Sequence, residues 1–284
     1  FFVDDNFIGN RPRIRKILLR MIPWLEERGH PFTFTTEVSI DLADDEELME
    51  LMARAGFDAV FVGLETPNEE SLRECGKRQN CRRDMLGSVK KLQAAGFQVL
   101  GGYIVGFDND DESIFSRQIK FIQESGVVTA MVGLLNALPG TRLWQRLKAE
   151  DRLIKTASGD NTDGSINFIP SMGKDCLLDG YRQILRTIYS PREFHERVMT
   201  FLQAYQPRRR KGMRLREAKA FLKSIYFLGI LGEARSKWYF WKTLFKALIF
   251  HPRSFTEAMT MMVYGYHFRR IAGLLQVGFL AGSN

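Results

Sequence analysis

Ala59-Val60-Phe61-Val62-Gly63-Leu64-Glu65-Thr66-Pro67 is an apolar run that stops at a carboxylate. A short apolar run bounded by turn-forming residues reads as a buried strand of a parallel sheet. Its last residues, Gly-x-Glu-Thr-Pro, mark the point where the chain leaves the sheet and place Glu65 at the strand's C-terminal end. Similar runs lie about thirty residues away on either side, and each also ends in polar residues.

Working outward, Phe1–Val3 is a first apolar segment, followed at once by Asp4-Asp5-Asn6. Ile14, Ile17, Leu18, Met21, Ile22 and Leu25 fall at helical spacing over residues 11–28, and Gly29 closes that helix. Residues 31–40, rich in β-branched threonine, read as a strand with Glu37 near its end. Asp44-Asp45-Glu46-Glu47 then starts a helix with an acidic first turn that Gly56 stops. Beyond the strand at 59–64 come a charged connection, a helix over 82–95, a strand at 99–105 running into Gly106-Phe107-Asp108, and a helix over 111–125. A strand at 129–135 runs into Asn136-Ala137-Leu138-Pro139-Gly140-Thr141, and a helix over 141–150 follows. Alternation of this kind implies about five parallel strands joined by helical crossovers, in an open doubly wound sheet or a (β/α) barrel. In either layout the strand ends converge on one face, which would carry Asp4, Asp5, Asn6, Glu37, Ser39, Glu65, Thr66, Gly106, Asp108 and Asn136.

Residues 151–174 turn polar and glycine-rich and read as a linker, with Ile166, Phe168 and Ile169 as docking residues. After Cys176 the chain reads as wholly helical, with Ser190-Pro191-Arg192-Glu193 a capping box. The expected organisation is therefore 1–150 α/β, 151–174 linker and 175–284 helical. Residues 189–284 hold 17 Lys+Arg against 5 Asp+Glu, a net of +12; with the whole chain at +8, residues 1–188 sum to −4. A basic, aromatic stretch at 208–250 suits a helical domain with a solvated basic face, a membrane surface or nucleic acid, in falling order of preference.

No run of eighteen apolar residues is present, so no membrane-spanning helix is expected. The first residues lack both the basic start of a signal peptide and an initiating Met, and the chain is expected to be cut from a longer protein. The sparse set Cys75, Cys81 and Cys176 fits reduced thiols in a cytoplasmic protein better than a disulfide scaffold, and no pair has zinc or cluster spacing. His30, His195, His251 and His267 are scattered and read as structural or surface residues.

Five segments together resemble the radical S-adenosylmethionine (radical SAM) superfamily, in particular its cobalamin-binding branch that includes hopanoid methylases. They are Phe2-Val3-Asp4-Asp5-Asn6-Phe7, Thr36-Glu37-Val38-Ser39, Phe61–Thr66, Gly102–Asp108 and Leu138-Pro139-Gly140-Thr141. The resemblance covers about residues 1–150 and implies a partial (β/α)6 TIM-like barrel, with S-adenosylmethionine across the strand ends. It implies that Asp4, Asp5, Asn6, Glu37 and Ser39 meet the methionyl end. Glu65 and Thr66 would face the ribose or methionyl groups, and Lys77 the carboxylate. The Gly106–Phe107 backbone would approach adenine, with Leu138 and Pro139 as its apolar wall. Substrate would enter over the same face, beneath the C-terminal helices.

The family's chemistry also implies a 4Fe–4S cluster held by Cys-x3-Cys-x2-Cys, an electron donor and a 5′-deoxyadenosyl radical. In this branch it further implies cobalamin-assisted methylation of an unactivated carbon in a small or lipid-like substrate. The cysteine motif does not occur in this sequence, so the chain alone is expected to be inactive. The rival reading is a non-catalytic scaffold whose basic helices dock on a membrane or partner. An ordinary acid–base barrel enzyme is weaker, since no nucleophile or histidine base accompanies the carboxylates.

Overall fold

The structure, a computed structural model, describes residues 1–154, 165–208 and 215–281. The deciding run forms β2 (Phe57–Glu65), and its burial alternates. Val60, Val62 and Leu64 are fully buried, whereas Ala59, Phe61 and Gly63 on the other face are half-buried. The strand is thus packed under helices on one side and lines a more open face on the other.

Four parallel strands form the sheet in the order β1 (Phe34–Glu37), β2, β3 (Gln98–Val105) and β4 (Thr129–Leu134). Each consecutive pair is joined by helix, as alternating strand–helix units require. The helices before β4 are α1 (Arg11–Glu27), α2 (Glu46–Ala55), α3 (Glu69–Glu74), α4 (Met85–Ala94) and α5 (Ser113–Ser125); α6 (Arg142–Ala149) follows β4. Asp45 caps α2 by accepting from the Leu48 amide at 3.0 Å. Gly126 ends α5 at φ 68°, where a side chain would also meet the Phe201 backbone at 2.9 Å.

The five-strand expectation is corrected at its first member. Phe2 makes only a single parallel bridge to Thr36, through Phe2 N to Thr35 O at 2.9 Å and Thr36 Oγ1 to Phe2 O at 3.1 Å. The chain turns away immediately at Asp5–Asn10. The strand expected over 31–40 shrinks to Phe34–Glu37, because Ile40–Asp44 winds into a 3-10 helix that buries Ile40 and Leu42 completely. The charged connection after β2 contains α3, capped by Asn68, which accepts from the Glu70 amide at 3.1 Å, and a 3-10 turn at Arg78–Asn80.

Beyond α6 the described chain is helical apart from a bridge between Leu153 and Phe168. Its elements are α7 (Lys174–Ile188), α8 (Pro191–Ala204), α9 (Leu215–Ser224), a π-helical turn (Ile225–Ile230), α10 (Ala234–Phe250) and α11 (Phe255–Ala281). Ser190 caps α8 as its sequence indicates. Phe168 is buried as expected of a docking residue, while Ile169 is exposed. The glycine-rich stretch 158–164 and the basic run 209–211 lie outside the described residues.

α7 and α8 pack on α5, and α8 also on α4. The Tyr181 and Tyr189 hydroxyls donate to the carbonyls of Val132 (3.1 Å) and Ala130 (2.6 Å), so side chains of the helical region satisfy carbonyls of β4, the sheet's last strand. α11 reaches the opposite end of the sheet: with Thr33, Asp58, Gln98 and Thr129 at the strands' N-terminal ends it encloses a cleft of about 620 Å³. α11 therefore lies away from the strand-end face. Of these helices, α7 reaches toward that face, through Leu177 against Gly106.

His195 sits in this packing, 1% exposed, with Nδ1 2.7 Å from Thr243 Oγ1. Thr243 donates its own hydroxyl proton to Tyr239 O at 2.8 Å, so the imidazole proton is on Nδ1. Burial, helped by Lys242 and Lys246, pulls its pKa down to about 4. The unfolded chain takes up a proton near pH 6.5 that the native state refuses until about pH 4, so stability falls as pH drops through that window. At pH 5 the loss relative to neutral pH is expected to be about 2 kcal/mol. Urea unfolding at both pH values should show a smaller fall for His195→Gln; an equal fall would assign the effect to other groups.

Candidate functional site

At the end of β2 the backbone does something a strand does not require. Glu65 adopts φ 62°, a left-handed conformation that costs a non-glycine residue about 1–2 kcal/mol. The register against β3 shifts between Gly63 and Glu65. Asn80, 2% exposed, holds this bulge by donating Nδ2 to the carbonyls of Gly63 (3.0 Å) and Leu64 (3.3 Å). The turned carboxylate meets Lys77, Nζ to Oε1 at 2.8 Å.

That ion pair lies over Gly63, where a Cβ would stand 2.5 Å from Glu65 Oε1 and 2.8 Å from Lys77 Nζ. Gly63 pairs with Gly102 on β3, beside the Phe61 ring. The two paired glycines thus let the ion pair and the Phe61 ring lie close against the sheet. Gly63→Ala should leave the fold intact, since Gly63 has an ordinary φ, and displace the Glu65–Lys77 pair. The expected outcome is an unchanged melting temperature with shifted NMR signals at Lys77 and Glu65; unshifted signals would mean that the pair accommodates the methyl group.

Across β1, Asp4 Oδ1 accepts the Asn6 amide at 2.9 Å, a tight Asx turn. Asn6 Oδ1 accepts from the Ser39 amide at 3.2 Å, and the Phe7 amide donates to Glu37 O at 2.9 Å. These bonds pin the Asp4–Asn6 turn beside the end of β1. Asp4 and Asp5 stay exposed and Glu37 half-exposed, so three carboxylates border the same rim.

Other expected residues sit differently. Thr66 is fully buried, its hydroxyl accepting from the Asn68 amide at 3.2 Å. Gly106, at φ 104°, and Phe107 both donate their amides to Asp110 Oδ2, at 3.0 and 3.1 Å. Phe107 is buried, and Leu177 closes the Cα side of Gly106 at 2.8 Å from where a Cβ would stand. Leu138 and Pro139 are exposed on a turn that Asn167 anchors through both backbone groups of Ala137, at 2.9 and 2.8 Å. Asp108 is committed to Arg152 at 2.6 Å and Arg146 at 2.9 Å, and the Arg152 guanidinium holds its carboxyl below the usual range.

Asn80, Asp110 and Asn167 are the residues that sequence reasoning missed. Asp110 is the most connected: 6% exposed, it also accepts from Ser71 Oγ at 2.9 Å and Asn68 Nδ2 at 3.3 Å. Burial pushes its carboxyl above the usual range, against four donors that draw it back. The signal available was an aspartate four residues after a strand-end glycine, a spacing that suits local capping of a turn.

A family model described as the radical SAM superfamily matches residues 3–122, and one described as a domain of unknown function (DUF4070) matches 141–278. An uncharacterized methyltransferase of Synechocystis sp. is 37% identical over 273 residues, covering 94% of this chain. The chain belongs to the radical SAM superfamily. The hopanoid C-2 methylase of Rhodopseudomonas palustris is 30% identical over 275 residues, again 94% of this chain. The chain spans 51% of the length of each of these two relatives. Among solved structures, the cobalamin-dependent S-adenosylmethionine radical enzyme OxsB aligns over 99% of this chain and 47% of that one, at 13% identity and TM-score 0.45.

The radical SAM residues present fit one of the family's groups and not another. The Glu65–Lys77 ion pair suits a zwitterion: Lys77 can meet a carboxylate and Glu65 an ammonium. No set of three His, Cys, Asp or Glu side chains able to hold a metal occurs among the described residues. The sequence's three cysteines also lack the cluster spacing. The cluster does not fit the residues present here.

Proposed function

We propose that this chain is the S-adenosylmethionine-positioning part of a radical SAM methylase acting on an unactivated carbon of a small or lipid-like substrate. The observation that carries the reading is the strained Glu65, held at φ 62° by Asn80 and paired with Lys77 over Gly63. Backbone strain of this sort persists where the surroundings over-determine it, and it clusters at ligand sites.

Glu65 and Lys77 would hold the amino and carboxylate ends of the cofactor by exchanging their mutual ion pair for ligand contacts. The Asp4–Asn6 turn and Glu37 add negative potential at the rim. Asp110 fixes the Gly106–Phe107 backbone, and the Leu138–Pro139 turn offers an apolar surface held by Asn167. S-adenosylmethionine, when bound, supplies the radical chemistry and the methyl group; the protein's part is to bind, orient and exclude water. The cluster, cobalamin and the contact with an electron donor are assigned to sequence that this chain does not span. In isolation it is therefore inactive.

The test is a version extended upstream, reconstituted anaerobically with iron, sulfide and cobalamin, and assayed for S-adenosylmethionine consumption. Activity that falls at least about a hundredfold in Glu65→Ala, with iron content unchanged, supports the reading. Full activity in that variant overturns it.

A further inference from the structure

The helical region presents a surface that neither the core nor the strand-end site uses. Between Leu222 and Phe250, ten large apolar side chains are each more than half exposed. In α10, Trp238, Phe245 and Ile249 are 67%, 53% and 66% exposed. Their spacing sets them in one stripe of the helix. The opposite stripe, Phe240, Thr243, Leu244 and Ala247, is buried. The helix is therefore apolar on both sides, with one side in the core and the other facing outward.

The outward stripe has a basic border. α10 carries Arg235, Lys237, Lys242 and Lys246 and no Asp or Glu, and Arg235 and Lys246 are exposed. Trp241 extends the surface sideways. It stacks on Phe245 with ring centroids 5.8 Å apart and donates Nε1 to Gly229 O at 3.1 Å. That bond ties α10 to the π-helical turn, where Tyr226, Phe227 and Ile230 are 51–55% exposed. Scattered exposed apolar residues are ordinary; a joined patch of this size marks an interaction surface.

Charge chooses the occupant. Nucleic acid would complement the cations and leave the aliphatic and aromatic stripe in water. A second copy would bring the same basic border against this one. An anionic bilayer complements both parts, since aromatic and aliphatic side chains enter the headgroup–acyl boundary while Lys and Arg meet lipid phosphates. No helix among the described residues is long and apolar enough to cross a membrane, so the contact is with the surface. We propose that the outward face of α10, with the adjoining π-helical turn, docks on an anionic lipid bilayer. The proposal is independent of the strand-end site.

The test is flotation of this chain with phosphatidylcholine vesicles, with and without about 30% phosphatidylglycerol, at about 0.1 M salt. Binding to the anionic vesicles is expected, at least about tenfold weaker to phosphatidylcholine alone. Two double variants, Trp238→Ser with Ile249→Ser and Arg235→Glu with Lys246→Glu, should each weaken it about tenfold or more. All four side chains are exposed, so circular dichroism and urea midpoints should not move. No flotation with anionic vesicles, or flotation indifferent to both variants, overturns the proposal. So does a dimer lost in Trp238→Ser/Ile249→Ser without lipid binding, which gives the face to a second copy.

Discussion

Arg197→Ala is expected to destabilise the protein by about 3–5 kcal/mol, from buried acceptors left unpaired and a cavity beside aromatic rings. Arg197 is fully buried and joins four elements. Nη1 donates to Gln123 Oε1 on α5 and to Ile188 O at the end of α7, the latter at 2.7 Å; Nη2 donates to Val128 O before β4 at 3.3 Å. Its guanidinium also lies 5.2 Å from the Phe194 ring and 5.6 Å from Tyr189. Burial pulls its pKa down to about 10, and the nearby Tyr189, Tyr103 and Glu193 offset this only in part. The side chain remains charged at neutral pH, held by carbonyl dipoles. Alanine leaves those acceptors unpaired and opens a cavity beside two aromatic rings. Arg197→Met keeps most of the volume and should lose less. Urea denaturation of the three proteins checks this; a cost below about 1 kcal/mol for alanine would mean that the carbonyls find other donors.

The second large effect is at Asp110. Asp110→Ala removes the acceptor of four donors: the amides of Gly106 and Phe107, Ser71 Oγ and Asn68 Nδ2. Each buried donor left unpaired costs about 1–3 kcal/mol, and partial rescue by water reduces the sum to an expected 2–4 kcal/mol. Asn at this position presents at least one wrong group, so it should recover only part. A readout separates this from a general loss of packing: amide exchange at Gly106 and Phe107 should speed up far more than exchange in β4, which Tyr181 and Tyr189 hold. Uniform acceleration would argue that Asp110 acts on global stability alone.

The alternation of apolar runs and glycine stops made the parallel sheet legible, because each element's local pattern agrees with its packing. Phe1–Val3 misled since three apolar residues cannot show that Asp4 will turn the chain. The short β1 misled for a related reason: Ile40 and Leu42 are as apolar as strand residues and are buried in a 3-10 turn instead. At the site, Glu65 and Lys77 were visible as charges twelve residues apart. What brings them together, the Asn80 side chain on two carbonyls and the left-handed Glu65, has no sequence pattern. Asp110 was hidden in an acidic run because burial, not residue type, distinguishes it from Asp111 and Glu112. In the sequence the exposed stripe of α10 shows only as composition; its direction depends on which face the core takes.

The measurement that tests the central claim most directly is isothermal titration of this chain with S-adenosylmethionine, beside Glu65→Ala and Lys77→Met. The strand-end site predicts saturable binding to the unaltered chain, weakened at least about tenfold by either change. Binding that ignores both changes, or no saturable heat at all, would contradict the assignment of this face to the cofactor.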